Sequence, residues 1–262
     1  MNKKFVFPFL ALIIFLFMAK GFGQSAIDHS DYNQLLKTYV DHQGGVNYLD
    51  LKKDGLKTLD QYLKKLNKVN LISLSKNEKK ALYINAYNAF TLKLIAKHYP
   101  VTSIKKIPDI SGLFGTGQWN SKDWKIGNQI ISLNEIEHKI LRPLGDPRIH
   151  FALVCASLSC PNLSQDAYEA NDLNRQLDQQ AQLFNQSKKG VQQEIVNGKP
   201  VLKVSSIYKW FKEDFLKVSS DLPSYIEKYT SSSVKSFINK NRKNLKIEYL
   251  DYNWGLNDIK SK

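Results

Sequence analysis

The stretch HFALVCASLSC, residues 150–160, holds both cysteines of the chain, Cys155 and Cys160, and one of its five histidines, His150. Three chemistries compete for that spacing. The thiols can close a disulfide, one can act as a nucleophile with a histidine as base, or both can be packed and inert. Cys155 alternates with Ile149, Phe151 and Leu153 along an expected strand, which puts it on an apolar face where thiols are usually inert. Cys160 follows a Ser-rich turn and precedes Pro161, and proline is favoured at the first position of a helix. A helix starting there places Cys160 at its positive end, which favours the thiolate. Strand, turn and thiol at a helix start form a nucleophile geometry, with His150 or His138 as the base.

Chain order constrains that reading. Papain-like and transglutaminase-like chains run cysteine first and histidine later, whereas here no histidine follows Cys160. A Cys–His pair therefore requires a permuted order. A second group of candidates lies in EIEHKILR. At about 100° per residue, Glu137 falls inside the stripe formed by Leu133, Ile136, Ile140 and Leu141, while His138 and Arg142 share another face. An inward carboxyl needs a partner or a raised pKa. It can act as acid, base or orienting group for a histidine, or form a structural pair with Arg142 or Arg148. Asn85 and Asn88 fall within an apolar helix and must be hydrogen-bonded, to loop backbone or as oxyanion donor and histidine orienter. Glu137, His138, His150, Cys155 and Cys160 are potential metal ligands, but they form neither HExxH nor CxxC spacing, so no metal is expected. Four residues between the cysteines, rather than two, also argue against a thioredoxin-like pair.

The elements that must position these residues are mostly helical. SDYNQLLKTYVDH and LKTLDQYLKKLNKV carry apolar residues at helical spacing. SKNEKKALYINAYNAFTLKLIAKHYP has a capping box at Ser75 and Glu78, and its apolar character nearly all round predicts a buried helix. SLNEIEHKILRPL is a helix capped by Ser132 and Glu135. RIHFALVCAS has the composition of a central strand. Hairpins are expected around Gly127-Asn128 and Asn197-Gly198. NDLNRQLDQQAQLF, SIYKWFKEDFLKV, PSYIEKY and VKSFINK read as helices, and NLKIEYLDYNW as a closing strand. The segment 111–124 reads as a long loop. The expected fold class is α+β: a single mixed helix/sheet domain, mostly helical with a small central sheet, and a permuted cysteine-hydrolase-like core as one arrangement it allows.

Residues 1–24 read as a secretory signal peptide, with Lys3 and Lys4 ahead of an apolar run from Phe5 to Ala19 and small residues after it. The run falls short of the ~20 residues that span a bilayer, so no stable membrane span is expected after cleavage. Residues 25–262 then form one domain, periplasmic or secreted, in an oxidising compartment where the cysteines can pair. The formal charge is +14. The lysines are spread along polar helix faces without a nucleic-acid-binding motif, so the basic balance reads as solvated surface and no nucleic acid is expected as partner.

NAYNAF, SLNEIEHKILR, DPRIHFALVCASLSCP with the following AY, IYKWFKEDF and YLDYNW occur in this order. In this the chain resembles the domain of unknown function 547 family, over core motifs at 75–254. That family occurs in exported bacterial proteins and in plant proteins. It carries no settled activity, so the resemblance implies a domain and a set of positions rather than a reaction. Two functions stand side by side. One is a thiol-dependent hydrolase or acyl transferase, with Cys160 attacking a carbonyl, His150 or His138 as base, Glu137 orienting the imidazole, and Asn85 or a backbone N–H holding the oxyanion. Its substrate would be a peptide or another envelope component, and nothing implies a cofactor. The other is a non-catalytic envelope binding or scaffold domain in which a Cys155–Cys160 disulfide pins the turn, for about 2–3 kcal/mol.

Overall fold

A computed structural model describes residues 27–107 and 117–261. The leader expected at 1–24 and the first part of the loop expected at 111–124 lie outside these. Ten α-helices are present among the described residues. They are α1 (Ser30–Tyr39), α2 (Tyr48–Asp50), α3 (Leu56–Leu66), α4 (Lys76–His98), α5 (Leu133–Glu135), α6 (Leu173–Asn185), α7 (Ile207–Trp210), α8 (Lys212–Leu216), α9 (Leu222–Ile226) and α10 (Ser232–Asn241). Five strands form two small sheets. β1 (Trp124–Ile126) and β2 (Gln129–Ile131) make an antiparallel hairpin. β3 (Val191–Val196) pairs antiparallel with β4 (Lys199–Val204), which pairs parallel with β5 (Lys246–Tyr249). The fold is α+β and mostly helical. No candidate membrane-spanning helix occurs among the described residues.

α4 is the central element. Its N-terminus is closed by the capping box expected from sequence: the Ser75 side chain accepts from the Glu78 N–H, and the Glu78 carboxylate accepts from the Ser75 N–H. From Lys80 to Leu92 every residue is buried, as the near absence of charge requires. Around it gathers an apolar cluster that includes Tyr32, Leu36, Leu51, Leu59, Tyr62, Leu82, Phe90, Ile136, Ile149 and Leu256. A second cluster, with Phe151, Phe184, Leu202, Tyr208, Phe215 and Tyr225, joins α6, β3–β5 and α7–α10.

Two elements differ from expectation. RIHFALVCAS is not a central strand. Pro147–Phe151 is a 3-10 helix, after which the chain is irregular, with a single bridge from Ser157 to Leu256. An apolar, β-branched run reports burial, and burial at a seam between two clusters does not require a ladder. Within the 3-10 helix, Ile149 belongs to the first cluster and Phe151 to the second, which leaves His150 on the seam. SLNEIEHKILRPL is helical but not uniformly α: α5 widens into a π-helical turn at Ile136–Leu141 and tightens into a 3-10 turn at Arg142–Leu144. π-turns inside helices recur at functional sites.

Cys160 does not begin a helix. The backbone from Ala156 to Ser159 finds partners in the C-terminal segment instead. Leu158 N–H donates to Gly255 C=O at 2.7 Å, Ser159 N–H to Asn253 C=O at 3.2 Å, and Asn257 N–H to Ala156 C=O at 3.1 Å. That segment is itself tied down, with Leu256 N–H on Thr102 C=O and Val46 N–H on Asn257 C=O. The pairing carries Tyr252 and Trp254 to the cysteine turn from nearly a hundred residues downstream.

Candidate functional site

A cavity of about 130 Å³ opens at the seam between the two clusters. Glu137, His150, Cys155 and Cys160 all line it, together with Tyr87, Tyr252, Phe211 and three tryptophans, Trp119, Trp210 and Trp254. Four candidates separated by up to 23 positions in sequence thus meet at one place. A larger groove of about 710 Å³ near Asp28 and Asp172 is open and polar and contains neither cysteine.

Cys155 and Cys160 are joined in a disulfide, with Cα atoms 6.3 Å apart. Their environments differ. Cys160 is 3% exposed, and its Sγ accepts from the Cys155 N–H at 3.0 Å and from the Tyr252 hydroxyl at 3.1 Å. Ser157 donates to Tyr252 at 3.1 Å, completing a relay of hydroxyls. Cys155 is half-buried, with Ser157 Oγ at 3.2 Å and Tyr252 Oη at 3.3 Å from its sulfur. Between the cysteines' neighbours, Ala156 holds φ at +60°. That left-handed conformation is unfavourable for a residue with a Cβ, and such strain clusters at functional sites.

His150 has a buried ring, 1% exposed at the side chain, stacked on Phe211 with centroids 3.9 Å apart. Its Nε2 donates to Asp214 Oδ2 at 3.0 Å. Its Nδ1 has no hydrogen-bond partner, and the nearest carboxylate, Glu137 Oε1, stands 3.8 Å away. Burial lowers the His150 pKa, against the opposing pull of Asp214. The imidazole is therefore neutral, with its one proton on Nε2 and a lone pair on Nδ1. Asp214 is held well below the usual carboxylate range by the bond from His150 and by Arg142. Arg142 reaches it with Nε at 2.6 Å and Nη2 at 3.3 Å, a fork geometry.

Glu137 faces inward. Burial pushes its carboxyl up to about 7, Arg142 opposing and Asp214 reinforcing. Arg148 is not its partner: that guanidinium binds Asp146 and Asp178. Neither is Arg142, which is committed to Asp214. His138 is exposed, outside the cavity, with Nδ1 2.7 Å from Arg142 Nη1. Asn85 and Asn88 anchor backbone. Asn85 brackets Tyr168, accepting from its N–H and donating to its C=O. Asn88 donates to Ala152 C=O at 2.9 Å and accepts from Val154 N–H at 3.0 Å. Asn88 therefore fixes the chain on which His150 and Cys155 sit, rather than pointing into the cavity. Among the described residues no group of three or more His, Cys, Asp or Glu side chains converges to hold a metal ion.

Asp214, Ser157, Tyr252 and the three tryptophans escape a reading of the sequence by spacing. Asp214 had a signal. It stands three residues after Phe211 and next to Phe215, a carboxyl among apolar neighbours, and the argument that turned Glu137 inward applies to it equally. Tyr252 and Trp254 lie in YLDYNW, one of the motifs that carry the resemblance, but their spacing did not place them at the cysteines, because only the pairing of the C-terminal segment brings them in.

The family model described as "Protein of unknown function, DUF547" matches residues 71–184. No curated protein and no solved structure matches the chain. Of the cavity residues, Tyr87, Trp119, Glu137, His150 and both cysteines lie within the matched segment, while Trp210, Tyr252 and Trp254, and with them Asp214, lie beyond it.

Proposed function

Starting from a chain whose residues 71–184 match the family of unknown function DUF547, we propose that the cavity is a thiol-dependent acyl-transfer or hydrolase site whose resting form is the Cys155–Cys160 disulfide. One observation carries this reading: the Nδ1 lone pair of His150 is buried and unpartnered, in a ring held by Asp214, in the cavity that both sulfurs line. A buried polar atom without a partner costs stability. A carboxylate-aligned base lining the same cavity as a sulfur supplies two of the parts that nucleophilic catalysis requires.

The steps balance as follows. An external dithiol reduces the disulfide by thiol–disulfide exchange, giving two thiols and an oxidised donor. His150 Nδ1 takes the Cys160 proton, and the sulfur attacks the substrate carbonyl carbon. The Cys155 N–H and the Tyr252 hydroxyl, both already directed at Cys160 Sγ, stabilise the thiolate. Tyr252 is pushed up to about 12, chiefly by burial, and so remains a donor. The imidazolium returns its proton to the leaving group, and water or another acceptor takes the acyl group from sulfur. Cys155, the more accessible sulfur, recloses the disulfide by exchange with an external disulfide, which leaves as two thiols. We also propose export under the leader read at residues 1–24, since a disulfide resting state suits an oxidising compartment.

Reduced protein incubated with p-nitrophenyl acetate should release one equivalent of p-nitrophenolate in a burst and gain one acetyl group on the peptide containing Cys160. Cys160→Ser should abolish the burst, Cys155→Ser should retain it without need of reductant, and His150→Ala should slow it at least ~100-fold. Equal bursts from wild type and Cys160→Ser would sink the reading. The disulfide itself favours a second reading, a binding cavity whose turn is pinned by the crosslink. That reading is upheld if reduced wild type gains no acetyl group on Cys160 and Cys155→Ser/Cys160→Ser lowers the unfolding temperature.

A further inference from the structure

We infer that the cavity is a receptor for an organic ammonium group, held against aromatic faces with its charge met by Glu137. This goes beyond the acyl-transfer reading and is independent of it, because binding needs no reduced thiol. Trp119, Trp210, Tyr252 and Trp254 form a connected aromatic wall. Ring centroids are 4.7 Å apart for Trp210–Tyr252 and Tyr252–Trp254, 5.9 Å for Trp210–Trp254 and 6.1 Å for Trp119–Trp254. The planes are inclined to one another by 27° to 78°, so the rings pack against one another partly stacked and partly edge to face. All four rings line the cavity, and the negative quadrupole of an aromatic face attracts alkylated ammonium ions. Lys105 already shows the property, its Nζ lying 3.6 Å from the centroid of Trp254. Lys105 does not line the cavity, so it takes a face of that ring outside it.

Glu137 supplies the counter-charge. Its side chain is 14% exposed and lines the cavity, and no ammonium or guanidinium among the described residues pairs with it within 4.0 Å. Its only near neighbour of opposite type is the neutral His150 ring at 3.8 Å. A carboxyl left in this state lacks the one partner that makes its ionisation favourable, and an ammonium ligand is that partner. The cavity admits a group about the size of a single small side chain. Should the thiol also prove reactive, the two properties together define the substrate as an acyl compound with an amine close to its carbonyl.

Three of the four tryptophans of the chain line the cavity, so intrinsic fluorescence reports occupancy. The oxidised protein is titrated at constant ionic strength with choline and with its neutral isostere 3,3-dimethylbutan-1-ol. Choline should bind about 10-fold tighter than the alcohol, as expected for a desolvated cation over aromatic faces. That preference should grow between pH 6 and pH 8 as Glu137 ionises, and should vanish in Glu137→Gln. If Glu137→Gln does not fold, Trp210→Leu, at a ring 46% exposed on the rim, serves in its place and should weaken choline more than the alcohol. Equal affinities for the two probes, no response to choline up to ~100 mM, or a pH-independent preference would each overturn the inference. A failure of this test leaves the acetylation of Cys160 untouched, and the reverse holds too.

Discussion

At the scale of single residues, burial and an unmet partner are what distinguish the site. Glu137 is the sharpest case. Its pKa in the folded protein, about 7, lies above the ordinary value of 4.5, so between those limits the folded state binds the extra proton. Stability from this group is complete below pH 4.5 and falls as pH rises toward 7. Glu137→Gln removes the penalty. It should raise stability at pH 8 by on the order of 2 kcal/mol and change it little at pH 4.5, measured as a pair of urea titrations. No difference between the two pH values would mean that the carboxyl is not held in an uncompensated site. The inward direction of Glu137 was legible in EIEHKILR because an apolar stripe leaves only one side for burial. Its partners were not legible. The sequence points to two arginines, and the structure gives both to aspartates, Arg148 to Asp146 and Asp178, Arg142 to Asp214.

The elements explain why the site is held open. α4 contributes Asn88, whose amide closes two hydrogen bonds with the 152–154 backbone, so the turn carrying both cysteines is fastened to the most buried helix. Asn88→Leu should cost about 3 kcal/mol, since it leaves one buried N–H and one buried C=O without partners. A loss below ~1 kcal/mol in thermal unfolding would show that the turn is positioned by something else. Helices with a clear period and caps were readable: the Ser75–Glu78 and Ser132–Glu135 boxes stand where the sequence places them. The hairpins were readable too, through Gly127-Asn128 and Asn197-Gly198, and Gly127, Asn197 and Gly198 hold the positive φ that such turns require. The seam was not. RIHFALVCAS looks like a strand because it is buried, and Pro161 looks like a helix start because of its residue type. Neither signal knows that the C-terminal segment will occupy the backbone groups of residues 156–159.

For the whole molecule, the consequence is that the site belongs to both apolar clusters at once, with Tyr252 packed on each. The first cluster takes Tyr32, Leu59 and Tyr62 from before residue 71 and Leu256 from far after residue 184. A fragment spanning only 71–184 should therefore show no cooperative thermal transition by circular dichroism, and a sharp transition would mean that the matched segment folds alone. The central claim, that reduction uncovers an activated thiol beside a carboxylate-aligned imidazole, is tested most directly by alkylation of the reduced full-length protein across pH 5 to 9, with each cysteine followed by peptide mass. Cys160 should react at full rate below pH 7, Cys155 only as pH approaches the ordinary thiol range near 8.5, and Asp214→Asn should move the Cys160 profile upward toward that of Cys155. Two cysteines that both titrate near 8.5, unmoved by Asp214→Asn, would contradict the account and leave the disulfide as a structural crosslink.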